Sequence, residues 1–147
     1  MPARATTASG WEGEYLQAGV VEETADGLVI RGSQMLATGG AVADEIFVSC
    51  IKPLGPDDKD FAVGFAVPTN AEGVTVVCRK VSTRHKNPFI APLSSRFDEL
   101  DGQMWLDDVF IPWERVFFTE KAAVPGEPVR DIAVRGIASW LYWHQIY

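Results

Sequence analysis

The sequence has few of the residues that build metal centres and covalent active sites. It has two cysteines and two histidines in 147 residues, and their spacing matches neither a metal site nor a disulfide framework. Cys50 and Cys78 lie in apolar, β-like runs, so we expect both to be buried and reduced, as in a cytoplasmic protein. Glycine-rich nucleotide motifs, zinc-protease motifs and nucleophile elbows are also missing. The sequence therefore predicts no metal and leaves the catalytic residues unknown.

Basic charge and long apolar segments are scarce as well. Thirteen lysines and arginines face twenty acidic residues, for a formal net charge of -7, so we expect no nucleic-acid or anionic-membrane surface. No apolar stretch approaches the roughly 20 residues of a membrane span. Residues 1–15 lack the apolar core of a secretory signal. These features predict a cytoplasmic protein without a membrane partner.

Strand-like alternation is the main pattern that the sequence does contain. Turn signals separate seven short runs, and the predicted strands are residues 16–24, 28–37, 45–52, 60–67, 74–80, 103–111 and 114–119. Residues 25–27 predict a hairpin turn in which Gly27 supplies a positive φ. Seven short strands indicate a mainly β fold, either a closed barrel or a sandwich.

The pattern changes after residue 124. Pro125 and Pro128 bracket a break, and the apolar residues that follow come close to helical spacing. A helix that is apolar nearly all round needs a partner to bury it. We therefore expect a loose lead-in at 1–15, a β-domain (barrel or sandwich) at 16–124, and the first helix of a truncated C-terminal helical domain at 125–147. The alternative is a terminal helix that lies across the barrel mouth.

Two segments could bind a ligand. At residues 37–40 a strand ends in a turn of small residues, where glycine allows close approach of a planar ligand and the Thr38 hydroxyl can hydrogen-bond it; a plain β-turn is the alternative. Residues 81–95 form a long aperiodic loop of a kind that is often functional. The basic residues at its start could meet an anionic substrate or a cofactor phosphate, or could simply be solvated; they are Arg79, Lys80, Arg84, His85 and Lys86. Beyond them, Arg96 suggests a buried or interfacial polar network, or a salt bridge that fixes the base of the loop.

Three stretches together resemble the large oxygenase component of the 4-hydroxyphenylacetate 3-monooxygenase family. They are GLVIRGSQMLATGGAVADEIFV, FAVGFAVPTNAEGVTVVCR and PLSSRFDELDGQMWLDDVFIPWERVFF. The third is the most specific, through its runs PLSSRFDE and DDVFIPWE. The resemblance covers about residues 16–147.

The resemblance implies an acyl-CoA dehydrogenase-like architecture in which a central β-barrel lies between two helical domains. It implies reduced FAD (FADH2) from a separate flavin reductase, O2, and a phenol hydroxylated ortho to its hydroxyl group. It also implies a homo-oligomer, a tetramer at full length. The flavin-binding residues would be Leu36, Ala37, Thr38 and Gly39. The loop would cover the substrate through Ser82, Thr83 and His85.

Two other interpretations stay open. A relative on the same fold, such as an acyl-CoA dehydrogenase or a 4-hydroxybutyryl-CoA dehydratase, would also be a flavoprotein, although Cys50 and Cys78 do not suit the iron–sulfur cluster of a dehydratase. The chain could also be an isolated barrel that binds a ligand or a partner without turnover. By itself the chain is expected to bind FAD weakly and not to hydroxylate, because walls of the flavin site are missing.

Overall fold

The computed structural model describes residues 15–35, 37–50, 54, 57–80, 87–90, 92–93, 96 and 100–119. All seven predicted strands are confirmed there: β1 (Gly19–Glu23), β2 (Gly27–Met35), β3 (Glu45–Ser49), β4 (Val63–Pro68), β5 (Val74–Cys78), β6 (Gly102–Pro112) and β7 (Val116–Thr119). The predicted starts of β4 and β7 were wrong, because short 3-10 helices at Lys59–Phe61 and Trp113–Arg115 occupy them. The predicted C-terminal helix lies outside the described residues.

The strands form two antiparallel sheets. The first has the order β1-β2-β6-β5 and the second has the order β3-β4-β7. The mainly β fold is thus confirmed, and the described strands of the barrel domain fall into two hydrogen-bonded sheets. Strand β6 is central because it pairs with β2 on one side and with β5 on the other.

One apolar core lies between the two sheets. Alternate residues of β2 and β6 meet alternate residues of β4 and β3, as the two-residue period of a strand requires. Phe65 at 0% and Met104 at 0% relative exposure mark the centre of this core. Burying a side chain of this size contributes about 1.5–3 kcal/mol. The other fully covered members include Leu28, Ile30, Val48, Val63, Val67, Val109 and Ile111.

A β-bulge in β6 keeps this alternation in phase. Arg31 on β2 lies opposite two residues of β6, since Ile30 pairs with Val109 but Gly32 pairs with Leu106. These two residues, Asp107 and Asp108, are both exposed. Leu106 and Val109 therefore both face the core although they are three residues apart, which an unbroken strand does not allow.

Gly27 is required for a reason that differs from the sequence expectation. Gly27 was expected to supply a positive φ, which was wrong, since the positive-φ glycines of the described chain are Gly32, Gly39 and Gly73. A side chain is excluded at Gly27 because a Cβ there would lie 2.2 Å from the carbonyl oxygen of Ile111. The hairpin turn itself is confirmed, with the Thr24 N–H donating to the Gly27 oxygen at 2.8 Å.

The two cysteines differ in environment. Cys50 is buried, and burial raises the pKa of its thiol. Cys78 is exposed, so the expectation that both are buried was wrong. The physical reason is position, because Cys78 is the last residue of β5, an edge strand. Both thiols are free, as expected.

The described residues show neither a membrane-spanning helix nor a cluster of metal ligands. Within those ranges, no helix has the length and apolar character needed to cross a membrane. The same residues hold no group of three or more metal-ligating side chains. The cytoplasmic location stays a prediction of the sequence.

Candidate functional site

The turn that follows β2 lies beside the segment that leads into β6. The Ala37 N–H donates to the Gly102 oxygen at 2.9 Å, and the Gly39 N–H donates to the Leu100 oxygen at 2.8 Å. These bonds continue the β2–β6 pairing beyond the last paired residues, Met35 and Gln103. The turn is thereby fixed to the rigid end of the four-stranded sheet.

Residues 37–42 form turns closed by main-chain hydrogen bonds, which the alternative interpretation as a plain β-turn also predicts. The Gly40 N–H donates to the Ala37 oxygen at 3.0 Å, and the Val42 N–H donates to the Gly39 oxygen at 3.0 Å. Ala37 is buried at 6% relative exposure, whereas Thr38 is exposed. Buried Ala37 thus anchors the turn and leaves Thr38 at the surface.

Gly39 provides the open approach that a planar ligand needs. Its φ is +75°, and a Cβ built on it would have no heavy atom within 4 Å. The left-handed backbone explains why glycine is favoured there, and the empty surroundings leave room beside the main chain. The exposed hydroxyl of Thr38 lies beside this open stretch of main chain.

A polar chain links Thr38 to two other segments. The Thr38 hydroxyl donates to Oδ1 of Asp101 at 2.9 Å. The other carboxylate oxygen, Oδ2 of Asp101, lies 3.6 Å from Nε of Arg79. The Arg79 N–H also donates to the main-chain oxygen of Asp101 at 2.9 Å. Three segments that are distant in sequence therefore meet at one carboxylate.

The same contacts hold both ends of the long loop. Arg79 and Lys80 follow β5, while Leu100 and Asp101 precede β6, so the residues between them begin and end beside the Thr38 turn. An ion pair lies at the base of the loop, between Arg79 and Asp101. Arg96 is exposed, which rules out a buried position within this chain, and the interfacial network and the Arg96 salt bridge stay predictions. Within its described part the loop also exposes Phe89, Ile90 and Leu93.

Only some of the predicted site residues lie within the described parts of the chain. Ala37, Thr38 and Gly39 lie together in the turn. Leu36, Ser82, Thr83 and His85 lie outside the described residues. Sequence reasoning missed Asp101, which is 63 positions from Thr38. Its only sequence signal is a carboxylate directly before a strand, a signal too common to single it out.

The comparisons with known proteins decide the family. The family model described as 4-hydroxyphenylacetate 3-hydroxylase N terminal matches residues 2–118. The chain belongs to this hydroxylase family. The match includes residues 2–15, which the recognised motifs did not cover, and stops before the predicted C-terminal helix.

Relatives in the family are named as oxygenases of phenols. The 4-hydroxyphenylacetate 3-monooxygenase oxygenase component of Thermus thermophilus is 41% identical over 114 residues, which is 78% of this chain and 24% of the relative. The FADH(2)-dependent monooxygenase TftD of Burkholderia cepacia is 37% identical over 127 residues, 85% of this chain and 23% of the relative. The hydroxylase-family chain thus spans about a quarter of the length of these relatives.

Solved structures agree on the fold. The crystal structure of the oxygenase component (HpaB) of 4-hydroxyphenylacetate 3-monooxygenase complexed with FAD has a TM-score of 0.72 and 35% identity, over 92% of this chain and 26% of that chain. A 4-hydroxybutyryl-CoA dehydratase of N. maritimus (24% identity, TM-score 0.66) and a steroid ACAD (18% identity, TM-score 0.52) share the fold alone. The acyl-CoA dehydrogenase-like fold expected for the β-domain is thus confirmed.

Proposed function

We propose that this chain supplies the flavin-contacting β-domain of a two-component monooxygenase. The full enzyme would hydroxylate a phenol ortho to its hydroxyl group with O2 and with FADH2 delivered by a separate reductase. The observation that carries the proposal is the Thr38–Gly39 turn, with a surface hydroxyl beside main chain that has open space around it. The FAD complex of a structural neighbour and the FADH2 dependence in the name of a relative support it.

In this proposal the turn binds the ring system of FAD, which supplies the oxygen chemistry when bound. The Thr38 hydroxyl contributes a hydrogen bond, and Gly39 lets the ring approach the main chain. Leu36 and Ala37 complete the proposed contact segment. Because Ala37 and Gly39 are bonded to the end of β6, the turn is preorganised rather than ordered by the ligand.

The loop after β5 is proposed to cover the phenol, with Ser82, Thr83 and His85 as its contact residues. Support comes from Arg79, Lys80, Leu100 and Asp101, which keep both ends of the loop next to the flavin turn. A loop held at both ends can fold over a ligand and exclude water from it. The phenol itself is the expected small-molecule partner.

The domain assignment is also a proposal, with a β-domain at 16–124 and a helical start at 125–147. The outer face of the four-stranded sheet exposes Met35 at 68%, Val77 at 52% and Trp105 at 55%. Apolar groups gathered at the turn end of one sheet face suit contact with another domain or subunit. This supports a larger protein, a tetramer in the proposal, in which the chain alone is inactive.

A chimera tests the proposal. Residues of this chain would replace the matching segment of the Thermus thermophilus 4-hydroxyphenylacetate 3-monooxygenase oxygenase component. With reductase, FAD and NADH we expect ortho-hydroxylated 4-hydroxyphenylacetate by liquid chromatography, and none from the 147-residue chain alone. A chimera that folds and binds FAD but forms no hydroxylated product would contradict the proposal.

The acyl-CoA dehydrogenase-like alternative is supported at the level of fold alone. An acyl-CoA dehydrogenase reduces its own flavin with substrate, so anaerobic acyl-CoA would bleach the flavin of the chimera. We expect no bleaching. The third alternative is an isolated barrel that binds a ligand or a partner without turnover, and tight, stoichiometric FAD binding by the chain alone would contradict the weak binding that we expect.

A further inference from the structure

The hydrogen-bonding state of Thr38 is set by its neighbour. A hydroxyl has one proton to donate and two lone pairs that accept. The Thr38 proton is directed to Oδ1 of Asp101 at 2.9 Å, and an ionised carboxylate can only accept. The hydroxyl therefore offers lone pairs, and no proton, to any other group.

Asp101 is itself held in place. Its Oδ2 lies 3.6 Å from Nε of Arg79, and its main-chain oxygen accepts the Arg79 N–H at 2.9 Å. The neighbouring Leu100 oxygen accepts the Gly39 N–H at 2.8 Å. The carboxylate is therefore positioned by both the turn at residues 37–42 and the end of β5, which fixes the direction in which the Thr38 proton points.

The flavin ring has one edge atom whose hydrogen-bonding role changes on reduction. Nitrogen N5 of oxidised flavin has a lone pair and accepts, whereas N5 of reduced flavin has a hydrogen and donates. A hydroxyl that only accepts complements the reduced form and leaves the N5 of the oxidised form without a donor. A mismatch of this kind lowers affinity because a polar group stays unpaired.

We propose that Asp101 is a positioning residue that orients the Thr38 hydroxyl as an acceptor and so makes this turn favour reduced FAD over oxidised FAD. This inference rests on the proposed function and deepens it. The preference would let the domain take up FADH2 and release the oxidised product. Asp101 acts through Thr38 and need not touch the flavin.

The test is an anaerobic titration of the 147-residue chain with FAD and, separately, with FADH2. Backbone amide NMR shifts of residues 37–39 report each dissociation constant, a method that tolerates weak binding. For the wild-type chain we expect reduced FAD to bind about three- to tenfold more tightly, the effect of one hydrogen bond. A tenfold ratio corresponds to about 30 mV in the two-electron potential of the bound flavin.

Variants separate orientation from charge. Asp101→Ala removes the acceptor, so the ratio should fall towards one, whereas Asp101→Asn keeps an acceptor oxygen and should retain most of it. Reduced FAD carries at least as much negative charge as oxidised FAD, so the loss of a negative charge from the protein would by itself leave the ratio unchanged or raise it. Asp107→Asn is the matched control, because it removes an exposed carboxylate from β6, the strand that Asp101 directly precedes.

A double-mutant cycle shows whether Asp101 acts through Thr38. Thr38→Val should lower the ratio as Asp101→Ala does, and the double variant should lower it no further. An unchanged ratio in Asp101→Ala, or independent effects of the two substitutions, would overturn the inference while leaving the proposed function intact. If neither flavin form shifts the amides of residues 37–39, the proposed function fails and the inference fails with it.

Discussion

Arg31 on β2 and Asp108 on β6 form a two-pronged ion pair across the β-bulge. Arg31 Nε donates to Oδ1 of Asp108 at 2.8 Å, and Nη2 donates to Oδ2 at 2.6 Å. Asp108 has a φ of 52°, a left-handed conformation that aspartate and asparagine tolerate better than other residues with a side chain. The pair therefore lies at the point where β6 changes phase and keeps Val109 and Ile111 facing the core.

The first prediction concerns pH. The hydrogen bond from Arg31 lowers the pKa of Asp108, so the pair stabilises the fold above the unfolded pKa of about 3.9 and this contribution is lost as pH falls through the lowered pKa. Asp108→Asn should lower the melting temperature slightly at pH 7, since exposed pairs contribute little. The difference from wild type should shrink below about pH 4.

Comparing Asp108→Ala with Asp108→Asn separates the effect of the lost charge from the effect of the left-handed backbone conformation. Both variants lose the ion pair, but alanine tolerates the left-handed conformation less well than asparagine. The alanine variant should therefore melt below the asparagine variant at every pH. Equal melting curves for the two would contradict the bulge geometry.

The second prediction compares two glycines with the same backbone conformation. Gly39 has φ +75° and nothing within 4 Å of a built Cβ, whereas Gly73 has φ +81° and its Cβ would lie 2.4 Å from the Asp107 oxygen. Gly39→Asn should leave the fold stable and fill the open space, so FAD should no longer shift the turn amides. Gly73→Asn should cost about 1–3 kcal/mol through overpacking. Urea denaturation measures both, and equal losses of stability would contradict the structure.

The third prediction concerns the thiols. Burial raises the pKa of Cys50, so little reactive thiolate forms there at neutral pH. Cys78 is exposed. Iodoacetamide should therefore modify Cys78 in the native chain and reach Cys50 only in denaturant, as peptide mass spectrometry would show. Native labelling of Cys50 at a rate similar to Cys78 would contradict the packing of the second sheet.

The strands were predictable from the sequence because alternation is local, but their partners were not. Strands β2 and β6 are adjacent in one sheet although four elements separate them along the chain. No local pattern encodes that pairing, or the meeting of Thr38 with Asp101 at 63 positions' separation. The expectation that Cys78 is buried was wrong for the same reason, because the position of a strand at the sheet edge depends on the sheet order.

The motif DDVFIPWE, which carries much of the family resemblance, makes contacts that stabilise the fold in the described chain. Within it, Asp108 pairs with Arg31, and Trp113 Nε1 donates to the Ala25 oxygen at 3.0 Å, which ties the β1–β2 hairpin turn to the end of β6. Arg115, which follows the motif, pairs with Glu45 at 2.7 Å. A motif of this kind indicates the family without indicating the active site, and the candidate site came instead from the small-residue turn at residues 37–40.

The most direct test of the central claim is where FAD binds on this chain. Amide chemical shifts of the 147-residue protein would be followed during titration with FADH2 under nitrogen. The account predicts shifts centred on residues 37–39 and 100–102, and their loss in Gly39→Asn. Shifts centred elsewhere, such as on the β1–β2 hairpin around Asp26, or no shifts at millimolar FADH2, would contradict it.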